Sequence, residues 1–482
     1  MTRPSFIGLL FLTAAAIACH KNPPPDPITT PPPVTPVVHV TQLTTSAPAA
    51  IILPLDSTFQ VATSVSPANS TNPKLSYTSS DPNILKTDTA GLLTGTALGE
   101  AVVTIASLDN PQLTVKITVA VVKNYTVYAA GYGPDTIATS ALLWANKTFT
   151  VLQPDAGGAG YYARATAMAL SGNDLYIGGQ YVNNDGWEVA VWWKNSAVGT
   201  LSNPANDFNN VITAIGVSGT ETYLAGYDTR FISNPPWNPT YTNLPIWNGS
   251  YYTSNGNTVS RVLLESDTNY QQSLSYAMAM SGSDVYLAGA SATGNGNRIA
   301  TYWKNDMTGM VALAPGGDYS EAAGIALSGS DVYVTGYEEC PNYGCIPTVK
   351  LWKNNEQTVV NLTNGTVDAL PSCLAVNDTA QFVGGAQQTA TGAKQAMVWR
   401  VQGNTITPIP LSDGVTDAAV NGIAVSGNDI FLAGYQVDPT TNYRIATYWR
   451  VYGNIVSPPV RLPSGAYIGA PGHSEADAIV VK

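Results

Sequence analysis

A chain of 482 residues exceeds one ordinary domain, so two or three folded units are expected. With 44% hydrophobic residues, 43 glycines and 11% charged residues, it reads as a globular, β-rich exported protein, neither disordered nor transmembrane. A net charge of −11 with the 21 Lys and Arg scattered excludes a nucleic-acid-binding face, which needs a basic patch. The 26 Tyr and 10 Trp against 8 Phe suit a wet, half-buried β surface, because Tyr and Trp carry a polar handle.

The first residues, MTRPSFIGLLFLTAAAIAC, give a short positive region at Arg3, an apolar stretch over 6–15, and then Ala16-Ile17-Ala18-Cys19. The apolar stretch is too short to span a bilayer and reads as a targeting segment. A cysteine directly after small and aliphatic residues resembles a bacterial lipobox. The resemblance implies a signal peptide over 1–18, cleavage before Cys19, and acylation of Cys19 with palmitate-type chains. It also implies lipid anchoring in a bacterial outer membrane. No acidic cluster follows Cys19, so the periplasmic and cell-surface faces both stay open. Residues 19–38 are proline-rich and predict an extended tether.

Residues 39–122 contain short alternating runs separated by Pro, Gly, Asn and Asp turns, which predict a small β-sandwich. The stretch Tyr77-Thr78-Ser79-Ser80-Asp81-Pro82, then Asp88, Gly91-Leu92, Gly95 and Leu98-Gly99-Glu100-Ala101, resembles the bacterial Ig-like family of group 2 (BIG2). Tyr77 stands where that family often has Trp. The resemblance implies a spacer or adhesion module without catalytic residues.

From 123 to 482 one motif recurs. GIALSGSDVYVTGY (324–337) has near-copies at 167–180, 214–227, 277–290 and 422–435, and a degraded copy at 373–386. A second half stands alone at 125–132 and a first half at 474–481. Two anchors mark seven repeats. One is an aromatic at Tyr128, Tyr176, Tyr223, Tyr286, Tyr333, Phe382 and Phe431. The other is a tryptophan at Trp144, Trp193, Trp247, Trp303, Trp352, Trp399 and Trp449. Four short strands per repeat predict β-propeller blades. The two orphan halves predict a seven-bladed propeller whose first blade combines the N- and C-terminal strands, leaving no open edge. The fold class is therefore all-β, an Ig-like β-sandwich followed by this propeller. The repeats resemble the loosely defined extracellular propeller repeats of bacteria, which implies no specific activity.

The Ser-Gly-Asn/Ser-Asp turns supply one acid each, whereas Ca²⁺ needs six to eight converging oxygens, so they read as structural turns. The only histidines are His20, His39 and His473, so no metal site and no cofactor are expected. Cys340 and Cys345 enclose four residues and predict a disulfide clip in an oxidising compartment. Cys373, among Leu370, Leu374 and Val376, reads as a core residue. Glu321, Glu475 and Asp477, with Arg164 on a neighbouring blade, fall near one channel mouth. They form either a catalytic carboxylate set or a solvated ion pair at the rim. The loops on that face carry Tyr162, Tyr181, Trp187, Phe208, Trp237, Tyr241, Tyr319 and Tyr343, residue types that suit a glycan or a surface protein. The expectation is an anchored binding or adhesion lipoprotein. A propeller glycoside hydrolase or lyase and a structural or assembly lipoprotein are the alternatives.

Overall fold

The computed structural model describes residues 36–134, 139–154, 162–199, 208–232, 244–255, 259–264, 272–292, 297–315, 319–339, 345–355, 358–465 and 472–482. Every element among them is a β-strand. The segment 1–35, Trp237, Tyr241, Cys340 and Tyr343 fall outside the described residues.

Residues 39–122 fold as small sheets around one core of Leu85, Leu93, Val103, Ile105 and Ile117, all fully buried. The motif residues explain themselves locally. Gly91 has φ 82° and lies on the Tyr77 ring, where a Cβ would come within 2.7 Å of a ring carbon. Asp88 accepts backbone hydrogen bonds from Ala90 and Leu92 at 2.9 and 2.8 Å, closing the turn that delivers Gly91. Ser80 accepts from the Val102 amide at 2.8 Å and pins the next strand.

Among the described residues, seven antiparallel sheets follow, six of four strands and the last of five. Their innermost strands are Glu475–Val481, Ala163–Ser171, Phe208–Ser218, Gln272–Ser281, Ser320–Ser328, Ala369–Val376 and Ala418–Ser426. The first sheet is completed from the far end of the chain, because Glu475–Val481 pairs with Val127–Pro134. Each innermost strand packs on the next, and the succession returns from Ala418–Ser426 through Glu475–Val481 to Ala163–Ser171. Two strands, Ile455–Val456 and Val460–Arg461, share the outer edge of the seventh sheet.

Trp144, Trp193, Trp303, Trp352, Trp399 and Trp449 are each at most 1% exposed and fill the space between sheets. Burying one such ring removes roughly 150–250 Å² from water, an upper estimate of about 4–6 kcal/mol. Trp247 does not belong to this set. In the third sheet the residue opposite Leu224 is Tyr252, the place Trp303 takes opposite Leu287. The hairpin Glu221–Ile232/Leu244–Ser254 runs several pairs further than its counterparts, so Trp247 pairs with Thr229 near the outer end of the hairpin. Spacing measured from the insertion therefore pointed to the wrong aromatic.

Every innermost strand carries a β-bulge, at Thr166, Thr213, Tyr276, Ala323, Ser372, Asn421 or Asp477, and Phe208–Ser218 has a second register shift between Phe208 and Val211. At the bulge the carbonyl two residues before the extra residue comes up against the second strand. A Cβ on the facing glycine (131, 179, 226, 289, 336, 385 or 434) would lie 1.8–2.2 Å from that carbonyl oxygen. The repeated glycine of the motif is thus required by backbone approach. The bulge side chains also link neighbours. Thr213 Oγ1 donates to the Ser275 carbonyl at 2.8 Å, Ser372 Oγ to Val420 at 2.6 Å, and Asn421 Nδ2 to Ala476 at 3.3 Å. Thr166 donates likewise to Ile212.

Candidate functional site

Strand direction divides the ring of sheets into two faces. Innermost strands start, second strands end and third strands start on one face, here the rim. The Ser-Gly-x-Asp turns lie on the other, the turn face. There Asn195, Asn305 and Asn354 adopt left-handed φ of 49°, 67° and 62°. Their Nδ2 atoms donate to Asp174, Asp284 and Asp331 at 2.7–3.1 Å. Lys194, Lys304 and Lys353 bridge the same acids at 2.7–2.8 Å. These turns are structural networks. Among the described residues no group of three or more His, Cys, Asp or Glu could hold a metal ion.

The turn face also receives the Ig-like unit. Arg450 Nη2 donates to the Lys123 carbonyl at 2.8 Å while its Nε holds Asp429 at 2.8 Å. Tyr125 meets Phe431 edge-on with ring centroids 5.2 Å apart. Asn124 Nδ2 donates to the Leu55 carbonyl at 3.1 Å. Hydrogen bonds and stacking therefore hold the junction, which leaves the rim on the far side.

A cavity of about 200 Å³ runs along the axis, lined by three residues from each innermost strand, Asp477, Tyr276 and Asn421 among them. It is smaller than the roughly 300–1,000 Å³ of ordinary ligand pockets, so a ligand would sit across its mouth. At that mouth stand two ionic centres. Where the first sheet meets its two neighbours, Arg164 of the second sheet grips Asp477 with both ends of its fork, at 2.7 and 2.6 Å, and reaches Glu475 at 3.8 Å. Arg444 holds Glu475 from the other side. Tyr132 and Tyr435 lie under the Arg164 and Arg444 guanidinium groups, at 5.0 and 4.4 Å. Burial raises the Asp477 carboxyl above the ordinary carboxylate range, against the pull of Arg164 and Asn421.

The second centre lies between the fourth and fifth sheets. Arg298 Nη1 donates to Glu321 Oε1 at 2.5 Å, and Tyr319 Oη donates to the same oxygen at 2.7 Å. The Arg298 guanidinium lies 5.4 Å from the Trp247 ring and 6.0 Å from the Tyr319 ring. Tyr337 packs on Tyr319 at 6.4 Å. Burial pushes the Tyr319 hydroxyl up to about 12 and raises Tyr276 and Tyr337 further.

The sequence placed Arg164, Glu475 and Asp477 together, and the structure does the same. The pair is not solvated, however, since the two acid side chains are only 6% and 7% exposed. Glu321 belongs to a separate centre, with Tyr319. Tyr162 is exposed on the rim, whereas Tyr181 packs on the core between the first two sheets. Trp187 closes a turn by donating its amide to Asn183 at 2.9 Å, and Phe208 begins an innermost strand. Arg298 and Arg444 were missed, although the sequence signals both. RIATYW occurs at 298–303 and 444–449, and SEA at 320–322 and 474–476. Among the described residues Cys373 is a free cysteine, half-buried, with its thiol pushed up to about 12 by desolvation. Cys345 is disulfide-bonded.

Residues 39–119 are a bacterial Ig-like domain of group 2. No curated protein matches the chain. Among solved structures, YjhT is 14% identical over 58% of this chain and 97% of its own, with a TM-score of 0.37. A puromycin-hydrolyzing peptidase of Mycobacterium tuberculosis is 12% identical over 77% of this chain and 54% of its own, with a TM-score of 0.45. The GH32 β-fructofuranosidase BmSUC1 of Bombyx mori is 12% identical over 66% and 90%, with a TM-score of 0.32. At these scores none of them bears on the reading of the site.

Proposed function

We propose that this chain is an outer-membrane-anchored binding or adhesion lipoprotein. In this reading its seven sheets are the blades of a closed propeller, and a glycan or protein ligand is held at the rim. Supporting closure are the shared first sheet, the return of innermost contacts to their start, and the Arg164–Asp477 grip across that junction. An Ig-like domain suits a spacer or adhesion role. The reading rests mainly on the asymmetry of the two faces. The turn face is committed to internal networks and to the Ig-like unit, while aromatic and charged side chains gather at the opposite mouth. With the tether attached to the Ig-like unit, the rim points away from the anchor.

Binding is favoured over turnover because the rim acids are held by arginines. Asp477 gives both oxygens to Arg164, so neither is placed to act as nucleophile or proton donor. Two measurements test the proposal. Cys19→Ala is expected to abolish fatty-acid labelling and release the protein from the outer-membrane fraction. A screen of the protein against glycans and surface proteins is expected to find a ligand lost on replacing rim residues, without hydrolysis. Turnover that disappears in Glu321→Gln, Glu475→Gln or Asp477→Asn would establish the hydrolase or lyase reading instead.

A further inference from the structure

We infer that the centre built on Arg298 and Glu321, with Trp247, Tyr276, Tyr319 and Tyr337, takes a neutral saccharide, an assignment that rests on the rim reading above. The charge arithmetic comes first. Arg298 and Glu321 cancel within the pair, and Glu339 and Glu188 add negative charge around it, so the centre offers no excess positive charge to an anionic ligand, yet it keeps the planar donors and acceptors that match neighbouring hydroxyls. These groups are already locked. Tyr319 and Arg298 share one carboxylate oxygen of Glu321, and Arg298 also donates to Tyr319 Oη at 3.1 Å. A site ordered before the ligand arrives loses little freedom on binding.

The apolar part of a sugar needs ring faces. Trp247 supplies one from the extended hairpin of the third sheet, half-buried, with the Arg298 guanidinium 5.4 Å from its ring centroid. Tyr276 brings a second from a bulge position, where its side chain lines the mouth of the axial cavity. The three phenols are protonated at neutral pH, as tyrosines ordinarily are; Tyr319 already donates to Glu321, so it offers a sugar hydroxyl an acceptor lone pair, while Tyr276 at the cavity can donate or accept. A protein hot spot uses the same aromatics, and protein binding without sugar binding is therefore one of the outcomes that overturns the assignment. A chain of pyranose rings, with alternating apolar faces and equatorial hydroxyls, uses both the aromatic faces and the hydrogen-bonding groups.

The test is titration calorimetry of the full chain with cellohexaose, maltohexaose, xylohexaose, mannohexaose and chitohexaose, with hexagalacturonate as the anionic comparison. At least one neutral hexaose is expected to bind better than hexagalacturonate. Trp247→Ala should weaken that binding by about 30-fold or more, as for a central aromatic anchor. Tyr319→Phe, which removes a single hydroxyl, should weaken it by about 3- to 10-fold. Lys194→Gln on the turn face should leave it unchanged. If Trp247→Ala fails to fold, Tyr319→Phe carries the test alone. Absence of binding to all five neutral sugars, preference for hexagalacturonate, or unchanged affinity in Tyr319→Phe overturns the assignment. A hexaose lost in Arg444→Gln but retained in Trp247→Ala would move the site to the other centre and leave the rim reading intact. Indifference to every rim variant removes both.

Discussion

The two ionic centres of the rim are copies of one frame with different surroundings. In each, an arginine opening a third strand holds a glutamate opening the next innermost strand, Arg298 with Glu321 and Arg444 with Glu475. Each glutamate faces a tyrosine in register, Tyr337 or Tyr132. The serine before it accepts from an alanine amide at 2.9 Å, Ser320 from Ala300 and Ser474 from Ala446. The difference lies two residues after the glutamate, at the bulge. Asp477 there recruits Arg164 from the second sheet, whereas Ala323 recruits nothing and Trp247, Tyr276 and Tyr319 stand around the pair instead. With the backbone held constant, one bulge side chain and one longer hairpin turn an inter-sheet clamp into an open aromatic centre.

The largest expected effect separates clamp from centre outright. Deleting 474–482 removes the innermost strand of the first sheet with Ser474, Glu475 and Asp477, and leaves Val127–Pro134 with an unpaired edge. Cooperative unfolding by calorimetry should be lost or its midpoint lowered by more than 10 °C, on the order of several kcal/mol for a domain this large. An unchanged midpoint would break the idea that the termini close the ring. A smaller contrast follows from how each acid is held. Asp477→Asn puts an amide NH₂ against one arm of a two-pronged arginine grip and should destabilise by about 2–3 kcal/mol, discounted because Arg164 remains 44% exposed. In Glu321→Gln the single oxygen used by Arg298 and Tyr319 survives as an acceptor, so the loss should be about 1 kcal/mol. Equal losses in denaturant titrations would mean that the two copies serve one role.

Much of this was legible before any coordinates, and the parts that were not share a physical cause. The Ig-like motif could be read because Tyr77, Asp88 and Gly91 act on one another within fifteen residues of chain. The sevenfold repeat and the shared first sheet were readable because each copy carries its own turn and anchor. Arg164 beside Asp477 followed from neighbouring strands. The bulge was not readable: its mark, a glycine in the second strand, looks like any strand glycine until the facing carbonyl is placed. Trp247 was misassigned because an insertion breaks the spacing that identifies an anchor, and only register distinguishes it from Tyr252. Arg298 and Arg444 went unnoticed because the tryptophan ending each RIATYW run marks the repeat, and only the strand register puts the first residue of the run beside Glu321 or Glu475.

The smallest effect concerns alkaline pH, where the two copies should part again. Tyr276, Tyr319 and Tyr337 surround one centre, and Tyr132 and Tyr435 the other, with burial the leading cause of a raised hydroxyl pKa at each. An unfolded tyrosine ionises near about 10, so above that value the unfolded chain loses protons that the folded chain retains. The sign is therefore a stabilisation present in full below about pH 10 and lost as pH rises through the folded values, near 12 for Tyr319. Solvent screening keeps each contribution below about 1 kcal/mol at these half-buried sites. Denaturant midpoints should fall between about pH 10 and 12, and tyrosinate absorbance should lag behind that of the unfolded protein. Replacing the three tyrosines of the fourth–fifth centre by Phe should flatten that fall more than replacing the two at the seventh–first. The reverse order would mean that the aromatic centre is the wetter of the two, and that its phenols are held less firmly than the hydrogen bonds to Glu321 imply.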